Sequence, residues 1–174
     1  LVTYATYAAM CVEQTTTIPV STNDKEAKEE HCCLHFMAIG DFGEPTDEVG
    51  EVAEAMAYVA ENQHRAPSFV LTLGDNFYPD GVESVDDELF QKAWRDVFLC
   101  HRSLRIPWRV CLGNHDVYGN AQAQIDYTDS VYNTGGFWQC PSNNYEFSVP
   151  CEALDGSSTL FTVAFFCLDT NGCQ

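Results

Sequence analysis

The chain has 174 residues, enough for one domain that buries about 70% of the surface exposed by the unfolded polypeptide. Its 26 acidic residues against 8 basic ones give a formal charge of −18, a field that repels nucleic acid and anionic membranes and argues against either as a partner. No apolar run approaches the ~20 residues of a membrane span. Nine cysteines without a CxxC pair point to an oxidising compartment rather than to a structural zinc site.

Residues 1–33 read as an N-terminal extension. LVTYATYAAM lacks a basic start and is not read as a signal peptide, TTTIPVST is β-prone, and NDKEAKEEH is a charged, solvated run. Residues 34–174 are organised differently. HFMAIG predicts a short buried strand, and His31 and His35 are read as preceding it and given no role. A helix follows, capped at Thr46 or Asp47, with Val49, Val52, Ala53, Met56 and Ala60 on one face. SFVLTL is a second strand. Ser84 is the expected cap of a second helix that buries Leu89, Phe90, Ala93, Trp94, Val97 and Phe98. IPWRVCL is a third strand, GNHDVYGN the loop after it, and 129–143 an irregular connection. NYEFSV and TLFTVAFFCLD are two further strands. Trp94 and Trp108 are expected in the core, Cys167 as a buried thiol, and Cys173 as the cysteine best placed for a bond outside the chain.

Three strands run directly into a loop carrying a glycine and a polar ligand type: IGDFG with Asp41, LGDNFY with Asp75 and Tyr78, and LGNHD with Asn114 and His115. In open α/β sheets, sites form at the carboxyl ends of strands, where loops converge on a fixed scaffold. One Gly-Asp after a strand is ordinary turn chemistry; three successive junctions of one design indicate a site. Carboxylates suit hard cations, and the two oxygens of Asp75 suit it to bridging a pair of them. Two metals ~3.5–4 Å apart can clamp a phosphoryl group and supply a hydroxide nucleophile. They also reverse, locally, the sign of a field that otherwise repels a phosphate ester.

GDFG, GDNFY and GNHD in this order resemble the calcineurin-like metallophosphoesterases, and the tyrosine of GDNFY narrows the likeness to purple acid phosphatases, particularly the small tartrate-resistant animal type. FYPDGV, FQKAWRDVF, SLRIPWRVCLGNHDVYGNAQAQI and FFCLDT extend it over residues 34–174. The resemblance implies a four-layer α/β/β/α sandwich, of which this chain supplies roughly the first half. It implies a dinuclear centre, Fe(III) paired with Fe(II), Zn(II) or Mn(II). Asp41 and Tyr78 would bind the ferric ion, Asp75 would bridge, and Asn114 would bind the second metal. His115 would face the phosphate as a catalytic residue rather than as a ligand. The implied reaction is hydrolysis of phosphate monoesters in a secreted or lysosome-like setting.

The same family pattern needs histidines from later GHxP-like and GHxH motifs, and none of the five histidines here sits in one. A C-terminal fragment of the same protein is therefore the expected partner, with Cys173 the candidate for a disulfide link. The alternative is a non-catalytic structural or interaction module derived from a metallophosphoesterase.

Overall fold

The computed structural model describes residues 6–18, 28–63, 66–153 and 159–171, with those before residue 34 described by backbone alone. Cys173 and His64 lie outside the described residues. Two antiparallel strands open the fold, β1 (Thr6–Ile18) and β2 (Lys28–Gly40), paired along their whole length from Thr6↔Gly40 to Ile18↔Lys28. The first strand predicted at HFMAIG thus begins seven residues earlier, at Lys28, and includes His31 and His35. A two-stranded ribbon is held by its backbone ladder and demands no apolar alternation, so KEEHCC carried no strand signal.

From β2 the sheet continues in parallel through β3 (Val70–Thr72), β4 (Trp108–Arg109) and β5 (Trp138–Gln139). β5 lies inside the stretch predicted as irregular; two residues are too few to show a period. The strands alternate between two cores. Met37, Ile39, Val70, Trp108, Val110 and Trp138 face the helices. Leu34, Phe36 and Phe69 face a second sheet, made of β6 (Tyr145–Glu152) antiparallel to β7 (Thr159–Cys167).

The helix α1 (Asp47–Asn62) is where the apolar spacing put it: Thr46 Oγ1 accepts from Val49 N at 3.4 Å, and Val49, Ala53, Met56, Ala57 and Ala60 are buried. The second helical segment departs from expectation. Its main part, Phe90–Arg95, is π-helical and leads into α2 (Asp96–Phe98). Ser84 bonds Asp86 instead of capping it; Asp87 Oδ1 accepts from Leu89 N at 2.9 Å. Phe90, Ala93, Trp94 and Phe98 still point inward. Trp94 and Trp108 are fully buried as expected, and Trp138 joins them, its ring 4.9 Å from that of Trp94.

Between the sheets, Phe36, Phe69, Phe147 and Phe165 form one aromatic layer: Phe36 stacks on Phe69 at 5.0 Å, Phe147 on Phe165 at 4.9 Å, and the two pairs meet edge to face. The outer face of β6–β7, including Glu146, Ser148, Ala164 and Phe166, is exposed. The described residues therefore build α/β/β, three of the four layers implied by the sequence.

Candidate metal centre

Each candidate residue sits at the carboxyl end of a parallel strand. Asp41 follows β2 and Asp75 follows β3, and both adopt left-handed backbone, φ 55° and 53°. That conformation is strained for a side chain with a Cβ, though aspartate tolerates it better than most. Strain repeated at two equivalent strand ends is characteristic of functional positions. The loops interlock through their backbones: Asp41 N donates to Gly74 O at 3.2 Å and Tyr78 N to Gly43 O at 3.2 Å. Gly74 allows the closest approach. At φ 97°, a Cβ there would lie 2.7 Å from Gly113 Cα, so the loops after β3 and β4 touch only because neither residue has a side chain.

Phe77 and Tyr78 divide the loop after β3 between core and site. Phe77 is fully buried, stacked on Trp138 at 5.5 Å and edge-on to Phe90 at 4.9 Å. Its anchoring turns Tyr78 the other way. The Tyr78 hydroxyl reaches Asp41 Oδ1 at 2.8 Å and Asp75 Oδ2 at 3.0 Å. Burial, then hydrogen bonds to Asp41 and Asp75, then the negative charge of both push the phenol above its ordinary pKa.

Three oxygen donors thus converge from two loops, and the donor set fits one hard cation, which would replace the phenolic proton and offset the carboxylate charges. The other oxygen of Asp75, Oδ1, turns to the third loop and accepts from His115 N at 3.1 Å. His115 is half-buried, its ring 4.5 Å from that of Tyr78 and 5.4 Å from that of Tyr118. Its Nδ1 bonds Pro79 O. A carbonyl oxygen only accepts, so Nδ1 carries a proton and Nε2 is the nitrogen left free. Asn114 is exposed beside it, on the wall of a cavity of about 450 Å³ that also includes Gly113. Asp41, Asp75 and Tyr78 are therefore in direct mutual contact, His115 is joined to them, and Asn114 stands at the rim. Among the described residues, no three His, Cys, Asp or Glu side chains come together in a group suited to a metal.

GNHDVYGN, predicted as a loop, is partly helical, with α3 (Asn114–Tyr118) starting at the candidate ligand itself. The cause is Asp116, whose Oδ2 accepts from Gly113 N at 2.7 Å and fixes the first turn. Asp116 is neither at the surface nor bonded to the histidine ring. It is fully buried and accepts from Asn76 N at 3.0 Å, Phe77 N at 3.2 Å, Asn76 Nδ2 at 3.1 Å and Gln124 Nε2 at 2.9 Å as well. Burial raises its pKa, against the opposing pull of the Gly113, Gln124 and Asn76 donors. Asn76, an ordinary turn residue by sequence, is buried too and bonds Cys111 O at 2.8 Å. Gln124, in the short helix α4 (Ala121–Asp126), completes a network that no spacing rule marks.

Residues 34–170 match the calcineurin-like phosphoesterase family. The chain is 40% identical over 144 residues to tartrate-resistant acid phosphatase type 5 of Homo sapiens, covering 79% of this chain and 41% of that protein. It is 37% identical over 99 residues to purple acid phosphatase 7 of Arabidopsis thaliana, covering 56% of this chain and 29% of that one. Among solved structures it is similar to GAP50, the anchor in the inner membrane complex of Plasmodium, with TM-score 0.58 and 22% identity over 78% of this chain and 41% of that chain. At that identity the likeness is one of fold. The chain spans about two fifths of the length of the tartrate-resistant phosphatases it matches.

Proposed function

Because the chain belongs to the calcineurin-like phosphoesterase family, we propose that it forms the first part of a dinuclear metallophosphatase that hydrolyses phosphate monoesters, of the acid phosphatase type. One observation carries the reading. Asp41, Asp75 and Tyr78 aim three oxygens at one point beside His115, at the ends of adjacent parallel strands.

Asp41 and Tyr78 would hold a ferric ion, Asp75 would be shared between it and a second ion, iron, zinc or manganese, and Asn114 would help to hold that second ion. Bound metals supply Lewis acidity toward the phosphoryl oxygens and a nucleophile at low pH. The protein's part is positional. Asp75 is oriented by His115 N, Tyr78 by the buried Phe77, and His115 by the Pro79 carbonyl, which leaves Nε2 as the nitrogen free to meet the phosphate or its leaving group. Two cations need more donors than these four ligand residues offer, so the reading requires further ligands from a C-terminal part of the protein. The nine cysteines support a secreted or lysosome-like setting.

A second reading is a non-catalytic structural or interaction module derived from a metallophosphoesterase. GAP50, described as an anchor, has this fold. Metal analysis, a visible spectrum and hydrolysis of p-nitrophenyl phosphate at acid pH separate the two. Two metals per chain, a phenolate-to-iron absorption band and turnover are expected of the phosphatase. A fully assembled protein that is colourless, metal-free and inactive establishes the module instead.

A further inference from the structure

A pair of thiols lies between the two sheets, outside the candidate metal centre. Cys111 follows β4, its backbone N–H held by Thr72 Oγ1 at 3.1 Å, and is half-buried. Cys167 ends β7 and is buried. They meet because of Tyr145, which faces Cys167 across the β6–β7 ladder. The Tyr145 hydroxyl reaches Val110 O at 3.0 Å and Gln139 O at 3.2 Å, seating the end of the second sheet on the ends of β4 and β5. Cys111 and Cys167 then face one cavity from the two sheets. Cys140 is also buried.

The two thiols are unequal. The neighbouring Cys111 thiol, the nearby Tyr145 hydroxyl and the charge of Arg109 bring Cys167 down to about 7, whereas the neighbouring Cys167 and burial drive Cys111 up. Such asymmetry suits an attacking thiolate with a resolving thiol beside it. Access exists as well: Cys111 and Cys167 both line the cavity of about 450 Å³, together with Leu71, Leu73, Phe165 and Leu168.

We infer that Cys111 and Cys167 are a disulfide-forming pair that covalently fastens the second sheet to the first, with a small hydroperoxide as a competent oxidant. The Cys167 thiolate attacks the peroxide, forming S–O as O–O breaks, and the departing alkoxide takes a proton to leave as the alcohol. Cys111 Sγ then attacks the sulfenic sulfur, S–S forms, and the hydroxyl leaves as water with the Cys111 proton. Two thiols and one hydroperoxide become one disulfide, one alcohol and one water. The link joins the two sheets, through positions 56 apart in sequence, 111 and 167. It goes beyond the phosphatase reading, and its readout does not depend on metal or turnover.

The test uses the full protein treated with stoichiometric hydrogen peroxide, alkylated without reduction, digested and mapped by mass spectrometry. The expected product is a single reducible peptide pair joining Cys111 to Cys167, about 2 Da lighter than the two thiol peptides together. It should be absent from Cys111→Ser and Cys167→Ser and retained in Cys100→Ser, and reduction should lower the Tm of the oxidised wild type by several degrees. Alkylation of Cys111 alongside a Cys167 that is alkylated or carries sulfinic acid overturns the inference, as does a Cys140–Cys167 link. Mapping of the wild type decides the matter even where a variant fails to fold.

Discussion

At the residue scale, the site separates into side chains that face ligand and side chains that hold the loops. On the proposed roles, Asp75→Ala removes the shared carboxylate, and the protein should lose both metals by elemental analysis. His115→Ala should retain them while turnover falls ~10²–10⁴-fold, the usual contribution of a proton donor; loss of metal from the His115 variant contradicts this division. Asp116 belongs to the second class. Asp116→Ala strands N–H groups of Gly113, Asn76, Phe77 and Gln124 in the interior, each at a cost of about 1–3 kcal/mol where water cannot replace the carboxylate. Urea unfolding should show a loss of about 3 kcal/mol or more. A loss below 1 kcal/mol means that water enters and repairs the network.

At the scale of elements, the two sheets are joined chiefly by aromatic packing, with Phe69 at its centre. It stacks on Phe36 and meets Phe147 and Phe165 edge to face. Phe69→Ala should cost about 3–5 kcal/mol. The loss should be felt unevenly, with amides of β6 and β7 losing protection before those of β2 and β3, because only the second sheet depends on this layer for its attachment. Uniform loss across both sheets would show that they unfold as a single unit.

At the scale of the whole molecule, the charge of −18 opposes both compaction and the approach of an anionic ester. Screening extends to about 10 Å at 0.1 M salt and less beyond it. Raising ionic strength should therefore raise kcat/KM for p-nitrophenyl phosphate, and Tm with it; a fall in kcat/KM would mean that the positive field of the metals already dominates the encounter. Much of this architecture was legible in the sequence. Asp41, Asp75 and Tyr78 stood out because glycine and a ligand type directly follow apolar strands, and α1 because its spacing is helical. Asp116 and Gln124 were not legible, since burial of a polar side chain depends on partners from distant segments, here residues 76, 77 and 113. β5 was too short to show a period and the first half of β2 too polar. α3 owes its start to one carboxylate, which spacing alone does not reveal.

The sharing of Asp116 between two loops has a kinetic consequence. Asn76 and Phe77 belong to the loop after β3 and Gly113 to the loop after β4, yet their amide protons rest on the same carboxylate. None can reach solvent until that carboxylate lets go, so hydrogen exchange at the three should report one common opening free energy. Loops that exchanged independently would give distinct values. A common value would mean that the scaffold beneath His115 breathes as one body, and that a ligand gripped by either loop slows the motion of both.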